Sequence, residues 1–158
     1  MKKRFLLRTI NFWPPFLGAG IRVTRLTATA SDVEMKLRFW NRNYVGTHFG
    51  GSLYSMTDPF FMLMLIDNLG PDYIVWDKSA TIRFKKPGRG KVRAEFRISG
   101  EQLEQIRRAV AAQGKTEPTF VVQVKDESGD VVAEVEKIVY VRQKAREPSL
   151  QQPSLPLE

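Results

Sequence analysis

Residues 41–70 read NRNYVGTHFGGSLYSMTDPFFMLMLIDNLG, and most of what the sequence implies follows from this stretch. It contains the only histidine of the chain, His48, a pair of glycines, and Asp58 among apolar residues. A buried carboxylate without a partner costs several kcal/mol or shifts its pKa until it is neutral. Asp58 therefore needs either a structural partner or a reaction that uses it.

The apolar part of this stretch predicts a long buried helix at residues 50–68, because it is apolar nearly all round. The flanking segments alternate apolar and polar side chains with a period of two, which is typical of strands with one buried face. We predict six strands, at residues 21–30, 33–39, 74–86, 91–99, 119–125 and 131–142, and a second helix at residues 101–113. Short turns join the strands, the first at Ser31 and Asp32, so most pairs are antiparallel.

Strands that are polar on one face need a single covering layer, and the apolar helix can supply it. The sequence therefore predicts an α+β hot-dog fold, in which a curved, mostly antiparallel sheet of five to six strands wraps around one long buried helix. Residues 1–19 are expected to hold a short amphipathic helix and a Pro/Gly turn, and residues 20–142 the hot-dog domain. Residues 143–158 are polar and proline-rich, which predicts a disordered tail.

The composition excludes several kinds of site. The chain has 158 residues, no cysteine and one histidine, so disulfides, thiol catalysis and Cys-based or His-rich metal sites are excluded. The net charge of +8 is typical of proteins with acidic partners, and also of soluble proteins from a basic-leaning proteome. We expect neither a metal nor a cofactor.

The N-terminal sequence resembles a signal peptide, but Arg8, Asn11 and the Pro14-Pro15 pair interrupt its apolar run. The longest apolar run elsewhere, residues 59–66, is shorter than the roughly 20 residues that span a bilayer. We therefore expect a cytoplasmic protein without a membrane span. The N-terminal amphipathic helix is expected to pack on its own domain, with docking on a membrane surface as the alternative.

The spacing of Asn43, the Gly50-Gly51 pair and Asp58 resembles the signature of hot-dog thioesterases of the phenylacetate-degradation type. In that family an Asn precedes a His-Gly-Gly, and an acidic residue follows on the helix. The resemblance covers about residues 20–142. The segments WPPFLGAG at 13–20 and TDP at 57–59 resemble an uncharacterised branch of this superfamily, a domain of unknown function.

The sequence departs from the family pattern at two positions. Phe49 separates His48 from the glycines, so His48 stands one residue upstream of the usual histidine. Pro59 follows Asp58 directly and removes a helix hydrogen bond, so we expect a kink that changes where Asp58 points.

The resemblance implies hydrolysis of an acyl-CoA or related thioester at an interface between copies, in a homodimer or homotetramer. Asp58 would act as base or nucleophile, and Asn43 would position the water or the acyl group. The Gly51 amide, at the start of the helix, would stabilise the oxyanion. Along one helix Gly51 and Asp58 would stand about 10 Å apart, and the family brings the two groups together across the dimer.

Other residues are candidates for substrate binding. His48, Gly50 and Ser52 would line the site. The stretch 83–97 carries seven basic residues and one acid, so its cations could hold the phosphates of coenzyme A. The candidates are Arg83, Lys85, Lys86 and Arg89. A solvated strand face is the other interpretation of this charge.

Two further function classes remain open. In the first, the chain is a non-catalytic hot-dog module that binds an acyl-CoA or lipid ligand, and Asp58 is structural. In the second, the basic charge serves nucleic-acid binding. We expect no nucleic-acid partner, because the aromatic residues fall mostly at inward positions, unlike a stacking platform.

Overall fold

The computed structural model describes residues 9–144, which form four helices and seven strands. The helices are α1 (Pro14–Ala19), α2 (Gly50–Ser55), α3 (Phe60–Leu69) and α4 (Gly100–Gln113). The strands are β1 (Ile21–Leu26), β2 (Ala30–Lys36), β3 (Tyr73–Phe84), β4 (Lys91–Arg97), β5 (Lys115–Thr116), β6 (Thr119–Asp126) and β7 (Val131–Gln143).

The strands form one antiparallel sheet in the order β1-β2-β4-β6-β7-β3, and the short strand β5 pairs with β7. β3 is an edge strand, which pairs with β7 along its whole length and has no strand on its other side among residues 9–144. This arrangement confirms the predicted α+β hot-dog fold with a mostly antiparallel sheet.

The core lies between the sheet and α3. This helix buries Phe60, Phe61, Met64 and Leu65, and each is at most 3% exposed. Phe61 stacks on Phe120 of β6 with ring centroids 4.6 Å apart. The alternation of β4, β6 and β7 places their apolar side chains against this helix, as the sequence predicts.

The predicted long helix is interrupted. α2 ends at Ser55, and α3 begins at Phe60. The amides of Thr57 and Asp58 both donate to the carbonyl of Tyr54, which closes a turn, and the Asp58–Pro59 peptide bond is cis. Because Pro59 has no N–H group, the helical hydrogen bonding cannot continue through this position. The expected kink is therefore a complete break, and Asp58 lies within it.

Two predictions near the first hairpin are wrong. Its turn lies at residues 27–29, not at Ser31 and Asp32, which belong to β2. The Thr27 hydroxyl accepts the Ala30 amide, and the Thr27 amide donates to the Ala30 carbonyl, so the turn closes earlier. β2 ends at Lys36 rather than at Phe39. The Asn41 side chain accepts the Arg38 amide and donates to the Lys36 carbonyl, so these backbone groups bond to Asn41 instead of to a neighbouring strand.

β3 buries less of its apolar face than the alternation predicts. Ala80 and Phe84 are exposed, and Ile82 is half-buried. A bulge at Lys78 shifts the register with β7, and the helices cover only part of this edge strand.

Parts of the predicted organisation lie outside the described residues. These are most of the N-terminal amphipathic helix and the predicted disordered tail beyond Lys144. Within residues 9–144, no helix combines the length and apolar character that crossing a membrane requires.

Candidate functional site

A buried lysine answers the question that Asp58 raises. The Lys137 ammonium on β7 donates to Asp58 Oδ1 at 2.5 Å and to Asp77 Oδ2 at 2.7 Å. The Lys137 side chain is 1% exposed, whereas Asp58 is 38% and Asp77 21% exposed. Asp58 is thus the most accessible member of a carboxylate–ammonium–carboxylate cluster at the break between α2 and α3.

The bulge in β3 makes this cluster geometrically feasible. Ala80 is the cross-strand partner of Lys137, while Asp77 pairs with Val139. Asp77 and Ala80 are an odd number of positions apart in the sequence, so in a regular strand their side chains would point to opposite faces of the sheet. The extra residue, Lys78, lets both face the helices, and Asp77 can reach the Lys137 ammonium.

The cluster carries one more negative than positive charge when both carboxylates are ionised. Burial raises the pKa of Asp77, although its hydrogen bond and charge interaction with Lys137 act in the other direction. The nearby Asp58 charge raises this pKa further. Asp77 Oδ1 is buried and has no hydrogen-bond partner among residues 9–144. Burial therefore makes Asp77 easier to protonate than an exposed aspartate.

Tyr54 of α2 completes the surroundings of the cluster. Its ring lies with its centroid 5.6 Å from the Lys137 Nζ atom, close enough for a cation–π contact. Burial raises the pKa of Tyr54, so its hydroxyl is neutral at pH 7. Tyr54 therefore shields the ammonium without adding charge.

The contribution of Lys137 to the free energy of unfolding is expected to be lost at alkaline pH. Burial opposes its charged form, but the hydrogen bonds and charges of Asp58 and Asp77 outweigh burial and raise the pKa of Lys137 above 10.5. A pKa raised in the folded state adds stability that is complete below pH 10.5 and lost as the pH rises through the folded value. Urea unfolding of wild type and Lys137→Met from pH 8 to pH 12 measures this. The difference between their unfolding free energies should shrink only at the alkaline end, and a constant difference would contradict the assignment.

Asn43 organises a tight turn. Its Oδ1 accepts the amides of Val45 and Thr47, and its Nδ2 donates to the Thr47 hydroxyl and the His48 carbonyl. Its backbone amide also donates to the Thr47 carbonyl at 2.7 Å. These bonds occupy both ends of the Asn43 side chain within its own loop.

His48 ties this loop to the turn after β3. It is 3% exposed, its amide donates to the Gly88 carbonyl, and its Nε2 lies 3.1 Å from the Gly90 carbonyl. Burial lowers the pKa of His48, so the ring is neutral at pH 7, and the bond to Gly90 makes Nε2 the protonated nitrogen. Its other nitrogen, Nδ1, has no hydrogen-bond partner among residues 9–144.

Gly50 and Gly51 begin α2 beneath two exposed aromatic rings. A Cβ on Gly50 would stand 2.9 Å from the Phe84 ring, and one on Gly51 would stand 2.5 Å from the Phe49 ring. Their amides belong to the first turn of the helix, where N–H groups have no acceptor within the helix. Ser52 is buried, and its amide donates to the Phe49 carbonyl. The glycines therefore leave room for rings that cover the start of α2.

The four basic candidates have different surroundings. Lys86 lies 2.6 Å from both Asp126 and Asp130, so surface ion pairs occupy it. Arg83, Lys85 and Arg89 are exposed. Lys85 follows Phe84, and Arg89 lies between the two glycines that contact His48. These two cations are thus sequence neighbours of residues that contact Gly50 or His48.

Lys137, Asp77 and Tyr54 are the residues of the cluster that sequence reasoning missed. Lys137 interrupts an inward-facing series on β7, Ala133, Val135, Val139 and Val141, and a lysine at such a position is a readable signal. The bulge at Lys78 has no comparable signal. No group of three or more histidine or acidic side chains that could hold a metal ion occurs within residues 9–144.

Comparison with known proteins gives one family and many similar structures. The sequence profile of a family described as domain of unknown function DUF4442 matches residues 2–141. No curated protein matches the chain.

Several solved structures share the fold. One is a Pseudomonas aeruginosa protein of unknown function, described as a probable thioesterase, with 24% identity and a TM-score of 0.77 over 89% of this chain and 96% of that chain. Another is a putative thioesterase from Shewanella oneidensis, with 21% identity and a TM-score of 0.63 over 87% and 95% of the two chains. A third is a thioesterase from Haemophilus influenzae, with 12% identity and a TM-score of 0.63 over 87% and 88%.

Proposed function

Since the chain belongs to the family of domain of unknown function DUF4442, a branch of the hot-dog superfamily, we propose that it hydrolyses acyl-CoA or a related thioester. The observation that carries this proposal is the carboxylate of Asp58, which reaches solvent while a buried ammonium holds one of its oxygens. The names of the similar structures add support, because three of them are described as thioesterases.

Asp58 is suited to act as a general base toward water. Lys137 fixes Oδ1, so the carboxylate has a defined orientation without being shut off from solvent. A carboxylate is a weak base, but a thiolate leaves readily, since thiols have a pKa near 8.5. Hydrolysis of a thioester therefore needs a positioned water and a donor for the oxyanion more than it needs a strong base.

The Gly51 amide is the proposed donor to the oxyanion, as the resemblance to phenylacetate-degradation-type thioesterases implies. Gly50 and Ser52 flank it at the start of α2, and Asn43 and His48 would act by shaping the loop before it. In this family the helix start of one copy faces the acidic residue of another, so the proposal requires a homo-oligomer.

The unpaired edge of β3 is the proposed dimer contact. It is twelve residues long and exposes Trp76 and Phe84, and such an edge readily pairs with another strand. A two-fold axis would pair β3 with its copy and extend the sheet across both subunits.

Lysine substitutions on this edge are expected to give monomers. Ser79→Lys with Thr81→Lys would place four like charges across a two-fold β3–β3 contact. Val121→Lys is the matched control, because Thr81 and Val121 both flank Glu136 in the register of the sheet. Light scattering after size exclusion should show the β3 variant as a monomer and the control as a dimer. If the β3 variant keeps the wild-type mass, the dimer does not use this edge.

We further propose that Lys85 and Arg89 contribute to holding the phosphates of coenzyme A. Both are exposed cations whose sequence neighbours contact Gly50 or His48. Arg83 is an additional exposed candidate near the end of β3, whereas Lys86 would first have to leave Asp126 and Asp130.

The second candidate function is a non-catalytic module that binds an acyl-CoA or lipid ligand. The ion pair itself favours it, because Asp58 has a structural partner and needs no reaction to explain it. Thiol release and calorimetric binding, measured on the same acyl-CoAs, separate the two functions. The thioesterase predicts turnover, and the module predicts binding without thiol release.

A further inference from the structure

The turn built by Asn43 presents two apolar side chains to solvent. Tyr44 is fully exposed and Val45 is 72% exposed. The turn is nevertheless ordered, because the Asn43 side chain donates two hydrogen bonds within it and accepts two. An ordered turn that exposes an aromatic and a β-branched side chain does not help the protein's own core. A contiguous exposed apolar patch marks an interaction surface.

We group these two side chains with other exposed apolar residues of the same loop and of the segment at α1, and call the set the aromatic face. Its members are exposed apolar residues of two segments, the start of α1 and the loop after β2. They are Phe12, Trp13, Leu17, Phe39, Trp40, Tyr44 and Val45.

The two segments of the aromatic face are physically joined. The Asn41 side chain donates to the Ala19 carbonyl at the end of α1, at 2.9 Å, and to the Lys36 carbonyl at the end of β2, at 3.0 Å. One open groove is lined by Pro14 and Gly18 of α1 and by Trp40 of the loop, and it continues over the start of α2. The loop and α1 therefore present a common surface.

The loop that carries half of the aromatic face is basic. Lys36, Arg38 and Arg42 are exposed, and residues 36–57 contain no aspartate or glutamate. Arg38 lies over the Trp40 ring, with the guanidinium carbon 5.1 Å from the centroid. Tryptophan and tyrosine beside cations are the combination that favours the boundary between water and an anionic bilayer.

We propose that the aromatic face docks the protein peripherally on an anionic lipid bilayer. Tyr44, Val45, Trp13 and Trp40 would enter the headgroup region, and the exposed cations of the loop at residues 36–42 would bind lipid phosphates. Two such faces would repel each other, because both are cationic, which argues against a second copy as the occupant. The proposal does not depend on catalysis.

Vesicle binding of the full-length chain tests this. Phosphatidylcholine vesicles with phosphatidylglycerol should bind the protein about tenfold more strongly than phosphatidylcholine vesicles, and added salt should weaken the binding. Tyr44→Ser with Val45→Ser should lower the partition coefficient about tenfold, because it removes apolar side chains from the bilayer boundary. Val121→Ser is the matched control, since Val121 is an exposed valine on a different surface, and it should bind as wild type does.

Quenching by brominated lipid locates the docked surface. In variants that keep a single tryptophan, Trp13 and Trp40 should be quenched on anionic vesicles, and Trp76, on the outer face of β3, should not. Circular dichroism and thermal unfolding confirm that each variant is folded. Three results would overturn the proposal: no preference for anionic vesicles, equal quenching of Trp76, or unchanged binding of the Tyr44/Val45 variant.

Discussion

Asp58→Asn is expected to lower the rate of thioester hydrolysis by about 10²- to 10⁴-fold, the range for loss of a positioned general base. Asparagine keeps the size of the side chain, and its carbonyl oxygen can still accept a hydrogen bond from Lys137. It cannot take a proton from water. The loss should therefore fall on kcat, while the affinity for acyl-CoA stays within about threefold of wild type.

Asp72→Asn is the matched control for this substitution. It makes the same chemical change at an exposed position outside the Lys137 cluster. Its kcat should equal that of wild type. If both variants keep full activity, Asp58 is not the base, and if Asp58→Asn loses affinity for acyl-CoA as well as turnover, its role is binding.

Lys137→Met is expected to destabilise the fold by about 3 kcal/mol. Removing one partner of a buried ion pair usually costs about 3–5 kcal/mol, and the partial exposure of Asp58 favours the lower end. The loss arises because Asp77 and Asp58 would then face each other without a cation. For a chain of this size it corresponds to a fall in the melting temperature of about 10 °C.

Two further variants make this prediction specific. Lys78→Met removes an exposed lysine that pairs with Glu117, and it should cost under about 1 kcal/mol. Combining Lys137→Met with Asp58→Asn and Asp77→Asn removes all three charges and should restore most of the stability, because no buried charge is left unpaired. Urea unfolding measures all three variants. Equal stability of Lys137→Met and Lys78→Met would show that the cluster contributes nothing to the fold.

Much of the fold could be predicted from the sequence because period and composition are local signals. The alternation from Lys91 to Arg97 and the apolar segment at residues 60–69 reflect burial directly, and both elements are found. Pro59 predicts a disturbance of the central helix, since proline lacks the N–H group that donates the helical hydrogen bond. That the disturbance is a break rather than a kink follows from the turn closed on the Tyr54 carbonyl, which no periodic pattern indicates.

The candidate site could be predicted only in part, because its contacts are distant in sequence. Asp58 was identified as an unusual carboxylate, but its partner Lys137 lies 79 residues away. The alternation of β7 predicts that Lys137 points inward. The contact of Asp77 with Lys137, in contrast, depends on the bulge at Lys78, which the sequence does not indicate. Asn43 was expected to position water or an acyl group, and its hydrogen bonds show what else that side chain does: it closes a turn within four residues.

The most direct test is thiol release from a panel of short, medium, long and aromatic acyl-CoAs, measured for wild type and Asp58→Asn side by side. We predict turnover of at least one acyl-CoA by wild type, and its loss in the variant while binding of the same acyl-CoA persists. No thiol release from any member of the panel, or equal release by both proteins, would contradict the proposal that Asp58 serves thioester hydrolysis.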